Sequence, residues 1–151
     1  MIPLEYTTIV VLPTVHEFLA APDDIRLAYT SCILSYHVID HIAHAERSDT
    51  QAVRSVLAGD CGAALQIVRG LCNGTKHAER RGGVNPGDEK HVPVAAYDTP
   101  GAGWDEARWD VPGLMVEHAG TSMFIDEAVK TLLLSLYKLY PKHLGSVSPG
   151  F

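Results

Sequence analysis

Residues 22–47 read PDDIRLAYTSCILSYHVIDHIAHAER, and this stretch decides the fold. Pro22-Asp23-Asp24 is a helix start. Acidic side chains suit the positive end of a helix, and Asp23 can cap its free amides. Beyond it Ile25, Ala28, Tyr29, Cys32, Tyr36, Ile39 and Ala43 recur on one stripe at helical spacing. Leu34, Val38 and Ile42 fall on other faces, so the helix is apolar nearly all round. Such a helix belongs at the centre of a bundle. The spacing predicts it from Ile25 to Arg47.

Working outward, Met1 to Ala21 carries the apolar run Ile9-Val10-Val11-Leu12, cut by Pro13. It reads as extended up to Pro13, with a short helix over Thr14 to Ala20. After the central helix, a short helix over Thr50 to Ala58 stops at Gly59. Asp60 is placed to cap a third helix, Cys61 to Ala78, which ends before Gly82-Gly83. Ala64, Leu65, Val68, Leu71 and Cys72 make its apolar side, and Arg69, Asn73, Lys76 and His77 share another. From Val84 to Pro112 the texture turns to Gly, Pro and short apolar patches, and one or two short strands are expected there. Leu114-Met115-Val116 and Ser122 to Ile125, joined by a turn at Ala119-Gly120, read as a hairpin. Asp126 then caps a final helix with Ala128, Val129, Leu132, Leu133, Leu136, Tyr137 and Tyr140 at helical spacing, which Pro141 stops. The tail from Gly145 to Phe151 is expected to fray. No repeat and no low-complexity linker divides the chain. The expected architecture is one domain over 1–151, mainly α, a helical bundle with a small β-hairpin before the C-terminal helix.

Composition narrows the function. With 46% hydrophobic and 20% charged residues the chain reads as globular rather than disordered. A net charge of −6 argues against general binding to nucleic acid or an anionic membrane, and Lys76, Arg80 and Arg81 form the one close basic cluster. Cys32, Cys61 and Cys72 are an odd number with no CxxC pair, the pattern of a reducing compartment. No signal peptide or membrane span is recognisable, and the expected location is cytoplasmic.

Within the central helix His37, Asp40, His41 and His44 are spaced i, i+3, i+4, i+7, on the side away from the apolar stripe. Imidazoles at such spacing with a carboxylate between them can approach Zn²⁺ or another divalent metal from one side, with a further ligand such as His77 or His91. Asp40 could instead orient a neighbouring imidazole. The same residues could form a functional cluster without metal, or a polar network that only specifies helix packing. A second motif, Asn73-Gly74-Thr75-Lys76-His77, sets Asn and His four apart, with Lys76 suited to a helix C-terminus. No nucleophile elbow, P-loop or dinucleotide-binding glycine motif is present.

Tyr36-His37-Val38-Ile39-Asp40-His41-Ile42-Ala43-His44 followed by Asn73-Gly74-Thr75-Lys76-His77 resembles a family of short bacterial and prophage-linked helical proteins without an established activity. Glu117-His118-Ala119-Gly120 leading into Asp126-Glu127-Ala128-Val129 is similar to that family's closing hairpin and helix. The resemblance picks out His37, Asp40, His44, Asn73, Lys76 and His77, and puts His41 at a usually aromatic position. The Asn-x-x-Lys-His end also resembles the HEPN superfamily, helical bundles that often dimerise and include RNases. In their motif an Arg precedes the His by five residues. Cys72 stands at that place here, with Arg69 one turn earlier. An RNase needs such a cation for the developing phosphorane charge and the His for proton transfer.

Three functions follow. The first is a non-catalytic binding or structural module, expected to be a homodimer, with Tyr97, Trp104 and Trp109 available to face a partner. The second is a metal-dependent hydrolase on the His37, Asp40, His41 and His44 face. The third is a degenerate HEPN-like RNase relying on Asn73, Lys76 and His77.

Overall fold

The computed structural model describes residues 1–76, 94–95, 113–118, 121–147 and 149–151. The central helix, α3, spans Ile25–Glu46. Asp24, rather than Asp23, is its cap, accepting from the backbone amides of Arg26 and Leu27 at 2.9 and 3.0 Å. Arg47 closes the helix in the left-handed conformation. Ala28, Cys32, Val38, Ile39 and Ile42 are fully buried, so the all-round apolar pattern does place α3 inside. Ile25 is the exception, half exposed in the first turn.

The N-terminal segment departs from expectation. It is helical throughout: α1 (Pro3–Tyr6), a π-helical turn (Thr7–Val11) and α2 (Leu12–Ala20). Proline inside a helix lacks an amide hydrogen and crowds the carbonyl one turn back. Here the coil is widened just before Pro13, with the Leu12 amide bonded to the Thr7 carbonyl five residues back. The Thr14 hydroxyl also donates to the Val10 carbonyl at 3.0 Å. Burial of Thr7, Val11, Val15 and Phe18 outweighs the β-branched run's preference for extended backbone.

The two helices expected after α3 are both present and run on from one another as α4 (Thr50–Lys76), its two halves meeting at a kink at Cys61, whose φ of −139° and ψ of 40° are non-helical. The first half runs on through Gly59 to Asp60, so the break falls two residues after that glycine. Asp49 caps its start, accepting from the Ala52 amide at 2.7 Å. Asp60 does not serve as a mid-chain cap but is bonded to Lys138 of the following helix.

The sheet has order β1 (Val94–Ala95), β2 (Leu114–His118), β3 (Thr121–Phe124), all antiparallel. The β2–β3 hairpin lies directly before the final long helix, α5 (Ile125–Leu139). Successive side chains on a strand face opposite ways. Accordingly Leu114 and Val116 enter the main core, while Met115 packs against its cross-strand neighbour Phe124 in a separate small cluster. The Ala119-Gly120 turn lies outside the described residues. Ile125 begins α5 rather than ending the strand, and Phe124, not Asp126, holds the cap position. Asp126 is buried in the first turn and paired with Lys130 at 3.4 Å.

α5 buries Ala128, Val129, Leu132, Leu133, Leu136 and Tyr137 as its spacing predicts. Pro141 ends it but also opens a short turn, α6 (Pro141–Leu144), which returns toward α1. Leu144 is buried, and Gly145 leaves α6 at a φ of +87°. At the end of the exposed tail the Phe151 ring meets His16 edge-on at 5.9 Å between centroids. The core lies among α2, α3, α4 and α5, with β2 at one end. The result is a mainly α bundle with its small hairpin before α5.

Candidate functional site

The polar side of α3 is built around His41. Its ring is stacked on Tyr6, with centroids 4.1 Å apart and planes inclined by 21°. The Tyr6 hydroxyl donates to the Leu34 carbonyl at 3.3 Å, so the phenol lies along two turns of α3. Burial pushes the Tyr6 hydroxyl above its ordinary pKa, and the nearby negative charge of Asp40 adds to this, followed by the Cys72 thiol. Tyr6 is thereby kept as a neutral donor. The packing of the N-terminal helix against α3 brings it there, which the extended reading of residues 1–13 did not allow.

Asp40 is exposed and accepts a hydrogen bond from the Thr50 hydroxyl at 3.1 Å, joining α3 to the start of α4. One turn earlier the Tyr36 hydroxyl accepts from Arg54 Nη1 at 3.1 Å. Two further side-chain links tie the C-terminal helices to α3 and α4: His143 of α6 to Glu46 of α3, and Lys138 of α5 to Asp60 of α4. The His143 hydrogen bond holds the Glu46 carboxyl below its usual range. Bonds from Lys138 and then Ser135 do the same for Asp60.

His37 and His41 are half-buried, whereas Asp40 and His44 are exposed. Among the described residues, no three His, Cys, Asp or Glu side chains come together in a way that could hold a metal ion. Asn73 is half-buried near the end of α4 and Lys76 is its last residue. His77 and His91 lie outside the described residues, as do Tyr97, Trp104 and Trp109, Arg80 and Arg81. Cys72, at the position of the HEPN arginine, is fully buried, and Arg69 is half-buried one turn before it. Cys32, Cys61 and Cys72 are buried and outside any disulfide, and burial pushes the thiols of Cys32 and Cys61 up. A raised thiol is a poor nucleophile at neutral pH.

Sequence reasoning missed Tyr6, Thr50 and Arg54 as members of this seam. Thr50 and Arg54 are one helical turn apart on α4, a signal that was present. Among the described residues no helix is long and apolar enough to cross a membrane. Comparison of the chain with protein-family models, with curated proteins and with solved structures finds no match.

Proposed function

We propose that this protein is a non-catalytic binding or structural module in which the polar side of α3 fastens neighbouring helices. The observation that carries the reading is the Tyr6–His41 stack with its Tyr6 to Leu34 hydrogen bond. The Asp40 to Thr50 bond supports it. Two central members of the constellation are thus engaged by other helices. An aromatic stack of this kind contributes about 0.5–1.5 kcal/mol beyond the area it buries. The resemblance to prophage-linked and HEPN-like bundles belongs to the same proposal, as do a homodimeric state and a cytoplasmic location. Light scattering checks the dimer.

The test is urea unfolding of the untagged full-length chain, with and without EDTA. His41→Ala and Tyr6→Ala are expected to lower stability, exposed His44→Ala to leave it unchanged, and EDTA to shift none of the curves. A midpoint that falls with EDTA, and no longer does so in His37→Ala, overturns the reading in favour of the divalent-metal hydrolase on His37, Asp40 and His44. Cleavage of structured RNA that is lost in His77→Ala overturns it in favour of the HEPN-like RNase.

A further inference from the structure

The tetrapeptide Gln51-Ala52-Val53-Arg54 returns as Gln66-Ile67-Val68-Arg69, so the pattern Gln-x-Val-Arg occurs twice in α4, once on each side of the break at Cys61. In both copies the valine is buried in the core, at 3% exposure for Val53 and 0% for Val68. Residues three apart share a helix face, so each Gln goes with its Arg. The break folds the two copies toward each other. Gln51, Arg54, Gln66 and Arg69 all line one cleft of about 120 Å³, with Ser55 beside them. Ala58 and Leu65 give it an apolar flank.

The chemistry of this cleft is one-sided. It holds two guanidinium groups and two carboxamides, and none of its lining residues is acidic. Among the described residues neither arginine has a carboxylate within ion-pair distance. Arg54 gives one N–H to the Tyr36 hydroxyl, a neutral acceptor that orients its fork without offsetting its charge. Two like charges in one half-buried cleft repel each other, and in a chain of net charge −6 such a concentration is against the trend. An oxyanion removes that repulsion. The Ser55 hydroxyl is donated to the Gln51 main-chain carbonyl at 2.9 Å and accepts from Gln51 Nε2 at 3.4 Å, which leaves the guanidinium groups and the remaining carboxamide N–H groups as the donors. Planar guanidinium forks match the oxygens of phosphate, and two of them balance a dianion. The volume is well below the roughly 300–1,000 Å³ of a drug-sized pocket. It suits an anionic head group, with the rest of any larger ligand outside.

We propose that the cleft between the two Gln-x-Val-Arg segments is a binding site for a phosphate dianion, either free or as the head of a phosphomonoester. The site shares Arg54 with the seam but uses none of Tyr6, Asp40 or His41, and a substitution at Arg69 tests it without touching a seam contact.

The test is calorimetric titration of the full-length chain at constant ionic strength with inorganic phosphate, O-phosphoserine and succinate. Saturable binding of phosphate or phosphoserine, at least tenfold weaker in Arg69→Gln, is the expected result. Arg26→Gln, which removes an exposed arginine paired with Asp24 at the start of α3, should bind like wild type. Arg69 makes no bond to a described residue that its loss would break, so its variant should keep the wild-type melting curve, whereas Arg54→Gln also loses the Tyr36 bond. Tighter binding of phosphoserine assigns the phosphomonoester, and tighter binding of phosphate the free ion. No saturable binding of either, equal weakening in Arg26→Gln, or a preference for succinate overturns the proposal.

Discussion

α3 and α4 are the two longest helices, and they treat their polar residues in opposite ways. α3 runs unbroken from Ile25 to Glu46 and is apolar on nearly every side. Its polar residues are therefore held against other elements: His41 under Tyr6, Asp40 at Thr50, Tyr36 at Arg54. α4 is broken at Cys61 and keeps a polar side, which folds on itself to enclose a cleft. The contrast shows that a straight helix packed on most of its sides spends these polar residues on fastening, whereas an amphipathic helix bent in the middle can make a concave surface. Five substitutions and a pH series sharpen or break this comparison.

The largest effect is expected in α3. Ile39→Ala removes a fully buried side chain from a closed part of the core and should lower stability toward the upper end of about 2–5 kcal/mol in urea unfolding. Leu65→Ala empties a site on the flank of the α4 cleft, where water can enter, and should fall toward the lower end of the same range of about 2–5 kcal/mol. Equal losses would mean that the cleft is sealed as tightly as the core, and the contrast would fail.

Tyr6→Phe keeps the ring against His41 but removes the donor to the Leu34 carbonyl. About 1 kcal/mol of lost stability is expected, the net value of one hydrogen bond. No change would mean that Tyr6 acts through the stack on His41 and not through its hydroxyl.

Gly59→Ala probes what breaks α4. A methyl group there meets nothing within 4 Å, and alanine favours helix over glycine by up to about 1 kcal/mol. The chain should be stabilised by up to that amount while the break persists, because burial of Cys61 and the Asp60 bond to Lys138 hold it. Phosphate binding that survives Gly59→Ala would confirm that tertiary anchoring sets the kink. Loss of binding together with a gain in stability would point to the glycine instead.

The smallest effect belongs to the surface links. Glu46 and Asp60 are held below the ordinary carboxylate range by His143 and by Lys138 with Ser135. The folded state thus binds fewer protons than the unfolded state. Their contribution is complete above the ordinary carboxylate pKa and is lost as pH falls through the lowered, folded value. Unfolding followed from pH 7 downward should show stability falling in acid, with a shallower fall in Asp60→Asn.

Legibility followed the same division. The extent of α3 could be read to within a residue, because a start signal and an all-round apolar pattern agree on it. The α5 stripe was equally plain, since Leu132, Leu133 and Leu136 recur at helical spacing and are buried. The N-terminal segment was misread because Thr7 to Val11 and Pro13 locally favour extended chain, and only burial against α3 and a widened turn reverse that. His37, Asp40, His41 and His44 were legible as neighbours, but that Tyr6 covers His41 was not. The doubled Gln-x-Val-Arg pattern was also present, though nothing in it says that the two copies meet.

By itself, the sequence determined which segments are helical where period and caps coincide, that the bundle is mainly α, and which polar residues lie on one side of α3. Those properties depend on contacts within a few residues. Tertiary structure alone decided the helical path through Pro13, the stacking of Tyr6 on His41 and the bend at Cys61 that sets Arg54 and Arg69 in one cleft. Each depends on groups far apart in the chain, whose meeting is set by burial of the whole core rather than by any local preference.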